Sequence, residues 1–328
     1  MNNQRIIFSL FLLLAGFSLR SQTDSLPKDR FYRHTYENDF FVATDRYYTQ
    51  GVYLEFIFPV FKKLILSHAL IPLRPSRSGN AGTKIINYYG VSTERQGFTP
   101  TSIRHFGLPE PGERPYAALV YLTHSLVSLD PERKLRLTTR LNLGLMGPNL
   151  FGEEEQVYIH TKLHNLLPIG WEYQIENDYV VNYDLFIEKG LIDSKYLTLT
   201  GLAEARAGTL YDDLSGGGMI RVGYMQPYFN NLGITRQKNT QKFQCYLYLR
   251  AKAMIVGYNA TMQGGMINHN STYIVPESNI DRFVATGRCG IAISYKRLQL
   301  EYALAYITRE YGKGLDHGWG RIGINVCF

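Results

Sequence analysis

The chain has 328 residues, with 25 Tyr, 17 Phe and 30 Gly against only two Trp, a balance that favours strands and turns over helices. Its three cysteines, Cys245, Cys289 and Cys327, are odd in number and far apart, which excludes a disulfide framework of the secreted mini-protein kind. The formal charge of +7 fits nucleic acid or anionic headgroups, and the export signal described next favours headgroups, with no nucleic-acid partner expected.

Residues 1–21 have the layout of a secretory signal: Arg5, an apolar run over 6–17, then Ser18-Leu19-Arg20-Ser21. That run is shorter than the ~20 residues a membrane-spanning helix needs, and no later stretch reaches that length. A single exported domain is therefore expected over 22–328.

Strict alternation is the dominant pattern in that domain. Over 135–145, Leu135, Leu137, Leu141, Leu143 and Leu145 share one face while Arg136, Arg140 and Asn142 share the other. Phe243, Cys245, Leu247 and Leu249 alternate with Gln244, Tyr246, Tyr248 and Arg250. Leu298, Leu300, Tyr302, Leu304 and Tyr306 do so with Gln299 and Glu301, and Ile322, Ile324, Val326 and Phe328 with Arg321 and Asn325. A soluble sandwich also alternates, but here the last strand ends on an aromatic, and segments of ~10 residues match tilted membrane-spanning strands.

The expectation is an all-β fold: an antiparallel transmembrane β-barrel of about twelve strands with a short helix in an outer loop. The expected strands are 31–41, 48–58, 84–94, 116–128, 135–146, 172–187, 194–208, 218–226, 243–257, 283–294, 296–308 and 319–328. With the N-terminus in the periplasm, the short returns at 130–133, 189–193 and 295–296 fall on the periplasmic side. Segments 59–83 and 227–242 are too long for that rule. The first carries Lys62, Lys63, Arg74 and Arg77, and reads either as a surface helix or as a basic periplasmic excursion. Gly216-Gly217-Gly218 falls at a strand start, where it relieves crowding at a turn.

Three chemically unusual segments then land together at the outer end, in neighbouring hairpins. The first, 36–51, reads YENDFFVATDRYYTQG and packs Glu37, Asn38, Asp39, Asp45, Arg46 and Thr49 among aromatics. Two readings stay open for it: polar groups held against an apolar wall, as a lipid-facing site requires, or a hairpin with an Asx-type turn. The second is 95–115 and the third 147–171. Within the third, GEEEQVYIHTKLHNLL over 152–167 is helical in pattern, with three glutamates in the first turn, where the helix dipole favours them. Gln156, His160 and His164 recur every four residues and share a face. A histidine there suits general-base chemistry near neutrality, while His160 with His164 also has the spacing of a transition-metal pair.

The stretch 36–51 also resembles the opening motif of the outer-membrane lipid A 3′-O-deacylase family. That motif is an Asn-Asp pair, here Asn38-Asp39, followed by Tyr-Thr-x-Gly, here Tyr48-Thr49-Gln50-Gly51. The similarity continues through Gly112-Glu113-Arg114-Pro115, Gly147-Pro148, Glu155-Gln156, His160 and Trp171-x-x-Gln174-x-x-Asn177. It is strong over 36–58, 99–118 and 147–177 and only architectural beyond. The resemblance implies a twelve-stranded barrel, an ester hydrolase that removes an acyloxyacyl group from lipid A with the help of calcium. It implies His160 as general base with Gln156 beside it, and Asn38 and Asp39 as oxygen donors to calcium. Thr49 would donate a hydrogen bond to the carbonyl under attack, and Arg46 and Arg104 would hold the glucosamine phosphates.

Two departures from the family pattern stand out. There is no lysine between Pro100 and Tyr116, leaving Arg104 near its place, and Leu166-Leu167 occupy the place of a glutamate. Consecutive strand residues also face opposite sides, so Asn38 and Asp39 can share an ion only if the strand bends. The expected protein is a monomer in a Gram-negative outer membrane, acting on lipid A or lipopolysaccharide. The alternatives are a phospholipase A-like esterase, which needs a serine beside the histidine, and a structural or channel barrel.

Overall fold

A computed structural model describes residues 26–44, 46–75, 84–103, 110–236 and 242–328; the expected signal at 1–21 lies outside them. Twelve antiparallel strands close on themselves, each paired with the next and the last with the first. They are β1 (Phe31–Asn38), β2 (Tyr47–Ile57), β3 (Ile86–Thr99), β4 (Ala117–Asp130), β5 (Leu135–Met146), β6 (Asp178–Asp193), β7 (Leu197–Gly208), β8 (Tyr211–Tyr224), β9 (Phe243–Asn259), β10 (Phe283–Tyr295), β11 (Leu298–Ile307) and β12 (His317–Cys327). The all-β barrel is thus as its alternation implies.

Several strand boundaries differ from expectation: β1 stops at Asn38, and β3 runs on to Thr99. β6 runs on to Asp193, so the return expected at 189–193 is strand and 194–196 make the turn. Two strand starts differ for local reasons. β6 begins at Asp178 because Trp171–Tyr173 forms a turn of 3-10 helix behind Gly170, whose φ of 108° stops an extended chain. β8 begins at Tyr211 because only Thr209 and Leu210 link it to β7. Gly216-Gly217-Gly218 is therefore mid-strand, and a Cβ at Gly217 would collide with the Ala251 carbonyl of β9. The glycines relieve crowding between strands, not at a turn.

The barrel inverts the soluble pattern. Inside, charges pair between neighbouring strands along the lumenal wall: Arg321 with Glu37 at 2.7 Å, Arg33 with Glu55 at 3.1 Å, Arg136 with Glu188 at 3.3 Å and Arg206 with Asp213 at 2.6 Å. Outside, Leu122, Leu247 and Leu300 are exposed, as lipid contact requires. No helix among the described residues is long and apolar enough to cross a membrane; the strands do so.

Both long periplasmic segments have a structural reason. Residues 225–236 fold back into the barrel, where Leu232 and Ile234 pack on Phe31, Tyr88, Leu129 and Cys327. Thr235 donates to Asp29 at 2.6 Å and Arg33 to the Leu232 carbonyl at 3.4 Å, so this end is plugged. The other segment is neither an α-helix nor a free excursion: two short 3-10 helices, Pro59–Lys63 and Ile65–Ala69, lie against the outer face of the wall. Between the plug and the outer loops the lumen keeps a cavity of about 560 Å³ lined by the paired charges.

Candidate active site

β1 stops at Asn38, still extended at φ −159° and ψ 143°, and the next four residues, Asp39–Val42, turn as a 3-10 helix. The Asn38 side chain caps that turn by accepting the Phe40 N–H at 2.8 Å. The strand thus bends between Asn38 and Asp39, removing the opposite-face difficulty. Phe41 then lies edge-on to Tyr36 and Tyr302, with ring centroids 6.5 and 6.2 Å away, and covers Gly320 of β12. Tyr36 and Tyr302 are exposed on the lipid-facing side, so the turn sits on the outside of the wall.

A bulge brings Thr49 to the same side. The β2–β3 register slips between Tyr48 and Gln50. Tyr48 points inward, its ring tilted against Trp319 with centroids 5.0 Å apart and its hydroxyl donating to Glu37 at 2.8 Å. Thr49 and Gln50 both cross Gly97 of β3, where an added Cβ would lie 3.6 Å from Thr49 Cγ2 and 3.3 Å from Gln50 Cγ. Asp39, 2% exposed, accepts Arg46 N–H on Oδ2 at 2.8 Å and faces the Thr49 hydroxyl from Oδ1 at 3.4 Å. The Arg46 guanidinium reaches the Asp316 carbonyl at 3.4 Å.

The helix α1 (Gly152–Leu163) is tied to the same outer face. Arg95 of β3 pairs with Glu155 and donates to the Leu150 carbonyl at 2.8 Å. Gly152 sits against Ala118 and Trp171, which an added Cβ would approach to 2.7 and 2.8 Å. Burial, with Glu154 and Glu172 nearby, raises the Glu153 carboxyl above its ordinary value. Buried Gln156 accepts Trp171 Nε1–H at 2.8 Å, while its own Nε2 is buried with no hydrogen-bond partner among the described residues. His160 is also buried, with Nδ1 2.5 Å from the Leu166 carbonyl. A carbonyl only accepts, so Nδ1 carries the proton and Nε2 the lone pair. The carboxylates of Asp39 and Glu155 both lie within electrostatic range of Tyr36, so the first hairpin and the helix are neighbours on this face.

A family model described as outer membrane protein LpxR matches residues 6–328. The chain belongs to the LpxR family. That membership makes it an outer-membrane protein of a lipid A-modifying family. Its fold is similar to that of LpxR from Salmonella typhimurium, 18% identical, with 91% of this chain and 100% of that chain covered at a TM-score of 0.70. More distant barrels include the β-domain of the Bordetella autotransporter BrkA, 9% identical over 92% of this chain and 99% of that one, TM-score 0.44. The translocator domain of NalP from Neisseria meningitidis is 9% identical over 99% and 95%, TM-score 0.41. No curated protein matches the sequence.

Within this LpxR-family barrel the sequence-derived residues form two groups. Asn38, Asp39, Arg46 and Thr49 are one; Gln156 and His160, with Trp171, are the other. Arg104 and Asp45 lie outside the described residues. His164 is an exposed residue that ends the helix at φ 56°, so it leaves the His160 face, against its reading as a metal partner. Leu166, at the sequence place of the family glutamate, instead offers its backbone carbonyl to His160 Nδ1. Arg95 and Gly320 escaped sequence reasoning: Arg95 is 60 residues from Glu155, and a lone glycine in a strand carries no signal of what covers it.

The Glu113-Arg114 element has a structural task. Arg114 is buried between Glu310 at 2.9 Å and Thr261 at 2.7 Å, with its guanidinium 4.3 Å from the Phe98 ring centroid. Glu113 accepts the Tyr311 hydroxyl, and Tyr273, pushed up to about 12 by burial, accepts the Glu113 N–H at 2.8 Å. Three outer loops are pinned together above the lumen.

The oxygens at Asn38, Asp39 and Thr49 are the hard donors that calcium takes, about six to eight at a time. A carboxylate has about four lone-pair directions, and the Arg46 N–H and the Thr49 hydroxyl each face one oxygen of Asp39. The donor chemistry fits calcium, although no group of three His, Cys, Asp or Glu gathers among the described residues.

Proposed function

We propose that the protein is a carboxylic ester hydrolase that removes an acyl chain from lipid A by 3′-O-deacylation. One observation carries this reading: a buried imidazole, its tautomer set by a backbone carbonyl, rides on a helix bound to the lipid-facing side of the wall. A lumenal enzyme would have to drag acyl chains past paired charges; an external site lets them stay in lipid.

His160 Nε2 takes a proton from water as the water oxygen bonds to the ester carbonyl carbon. The Gln156 Nε2 amide, and the Thr49 hydroxyl once it turns from Asp39, donate to the oxyanion that develops there. The intermediate collapses, the C–O bond breaks, and the imidazolium returns the proton to the leaving sugar oxygen, giving a free hydroxyl and a fatty acid. Asn38 and Asp39 would hold the calcium, which would supply positive charge to offset that of the oxyanion. Arg46 and, by its place in the sequence, Arg104 are the cations offered to the glucosamine phosphates.

The test is His160→Ala, with lipid A read by mass spectrometry. Loss of the acyl-removal product from a folded, heat-modifiable barrel supports the reading; undiminished product excludes His160 as base. Profiling phospholipids in the same cells separates a phospholipase A, which would release lysophospholipid. A channel reading is disfavoured by the plug at 225–236 and the pinned outer loops.

A further inference from the structure

The segment after β2 presents an unusual surface. Successive i to i+3 bonds run Phe58 to Phe61, Phe61 to Leu64, Leu64 to Ser67 and Ser67 to Leu70. A repeat of three turns one face to the wall: Phe61 and Leu70 pack with Tyr89, Leu126 and Leu141, and Ser67 meets His124 Nε2 at 2.8 Å. Tyr183 of β6 donates to the Ala69 carbonyl at 2.8 Å, and Arg133 in the β4–β5 turn donates to the Arg74 carbonyl at 2.7 Å. The segment therefore rises along the outside of β3 to β6 and returns to the periplasmic rim.

This stretch of wall is polar where a barrel should be apolar. Asn87, His124, Ser128 and Thr139 alternate with lumenal neighbours and so face outward, yet all are buried. Polar groups on that face are costly against lipid unless partnered. What the segment shows in their place is apolar: Ile65 is 82% exposed, and Val60, Leu64 and Leu66 are exposed beside it. Lys62 and Lys63 lie between them. At its root, Phe58 stacks on Phe61 and meets Phe328 edge-on, continuing the aromatic girdle of the barrel.

We propose that residues 58–75 are a flap seated in the phospholipid leaflet on the periplasmic side of the membrane. Val60, Leu64, Ile65 and Leu66 insert among acyl chains, and Lys62 and Lys63 extend to lipid phosphates. The partner is a phospholipid surface because the exposed apolar side chains continue the lipid-facing wall and the two lysines complement its anionic headgroups. The flap replaces a polar strip of wall with an apolar one.

The experiment uses the full barrel in phosphatidylethanolamine–phosphatidylglycerol vesicles, with Cys245, Cys289 and Cys327 changed to Ser. A nitroxide is attached at Ile65→Cys, with Leu122→Cys as the in-wall reference and Glu277→Cys, in an exposed outer loop, as the aqueous reference. Collision with oxygen several-fold above that with a water-soluble nickel complex, as at position 122, supports the proposal. Lys62→Glu with Lys63→Glu should then shift position 65 toward the aqueous value. Nickel access at position 65 equal to that at position 277 overturns it. Exclusion of both colliders also overturns it, because protein, such as a second copy of the chain, would then cover the flap.

Discussion

Replacing Gly320 by alanine isolates the turn that carries Asp39. An ideal Cβ at Gly320 would lie 2.5 Å from Phe41 Cγ and 2.7 Å from Cδ2. Carbon atoms rest at about 3.5–4.0 Å, so Phe41 must withdraw by roughly 1 Å. Overpacking of this kind costs about 1–3 kcal/mol, small for a closed barrel in which every strand has two neighbours. The displacement matters more than its energy, because Phe41 and Asp39 belong to one four-residue turn. A reacting group moved by ~1 Å loses on the order of 100-fold in rate. Gly320→Ala is therefore expected to give a heat-modifiable barrel whose lipid A deacylation, timed by mass spectrometry with purified protein, is about 100-fold slower. Gly323→Ala is the control: its Cβ would meet Glu301 Cβ at 3.5 Å and Thr35 Oγ1 at 3.8 Å, both ordinary contacts. Turnover of Gly320→Ala at the rate of Gly323→Ala would refute the assignment of chemistry to this turn.

Arg95→Met keeps the packing of the stem but removes the bonds to Glu155 and the Leu150 carbonyl. The pair is about a third exposed, so the expected loss is ~1–2 kcal/mol of helix docking, read as faster amide exchange over 152–163 and slower deacylation. Unchanged exchange would show that Gly152 and Trp171 hold the helix without it. Arg114→Ala leaves Glu310 without its buried partner and should cost ~3–5 kcal/mol, lowering the temperature of heat modification. An unshifted transition temperature would mean that the three loops are pinned by other contacts. A chelator should abolish deacylation, and calcium should restore it, without altering electrophoretic mobility; full activity in chelator would rule out the cation.

The barrel was legible because lipid acts on every second residue. Leu135 to Leu145 and Leu298 to Tyr306 must offer apolar groups outward at period two whatever surrounds them, so a local pattern suffices. Asn38, Asp39, Thr49, Gln156 and His160 were legible as unusual polar groups, and their motif resemblance joined them before any geometry. What remained hidden depends on contacts between distant segments. Leu232 and Ile234 sit in a loop without periodicity, and only a lumen wide enough to admit them makes them core.

Composition, alternation and turn spacing by themselves determined a closed, lipid-embedded barrel and which loops share its outer rim, because these follow from local periodicity and chain length. Only the tertiary structure decided which side of the wall the polar groups occupy. The slip at Thr49, the bend after Asn38, Phe41 over Gly320 and Arg95 under Glu155 all set the turn and the helix on the outer face. Each depends on a neighbouring strand's register, and one residue of slip would send the same side chains into the lumen.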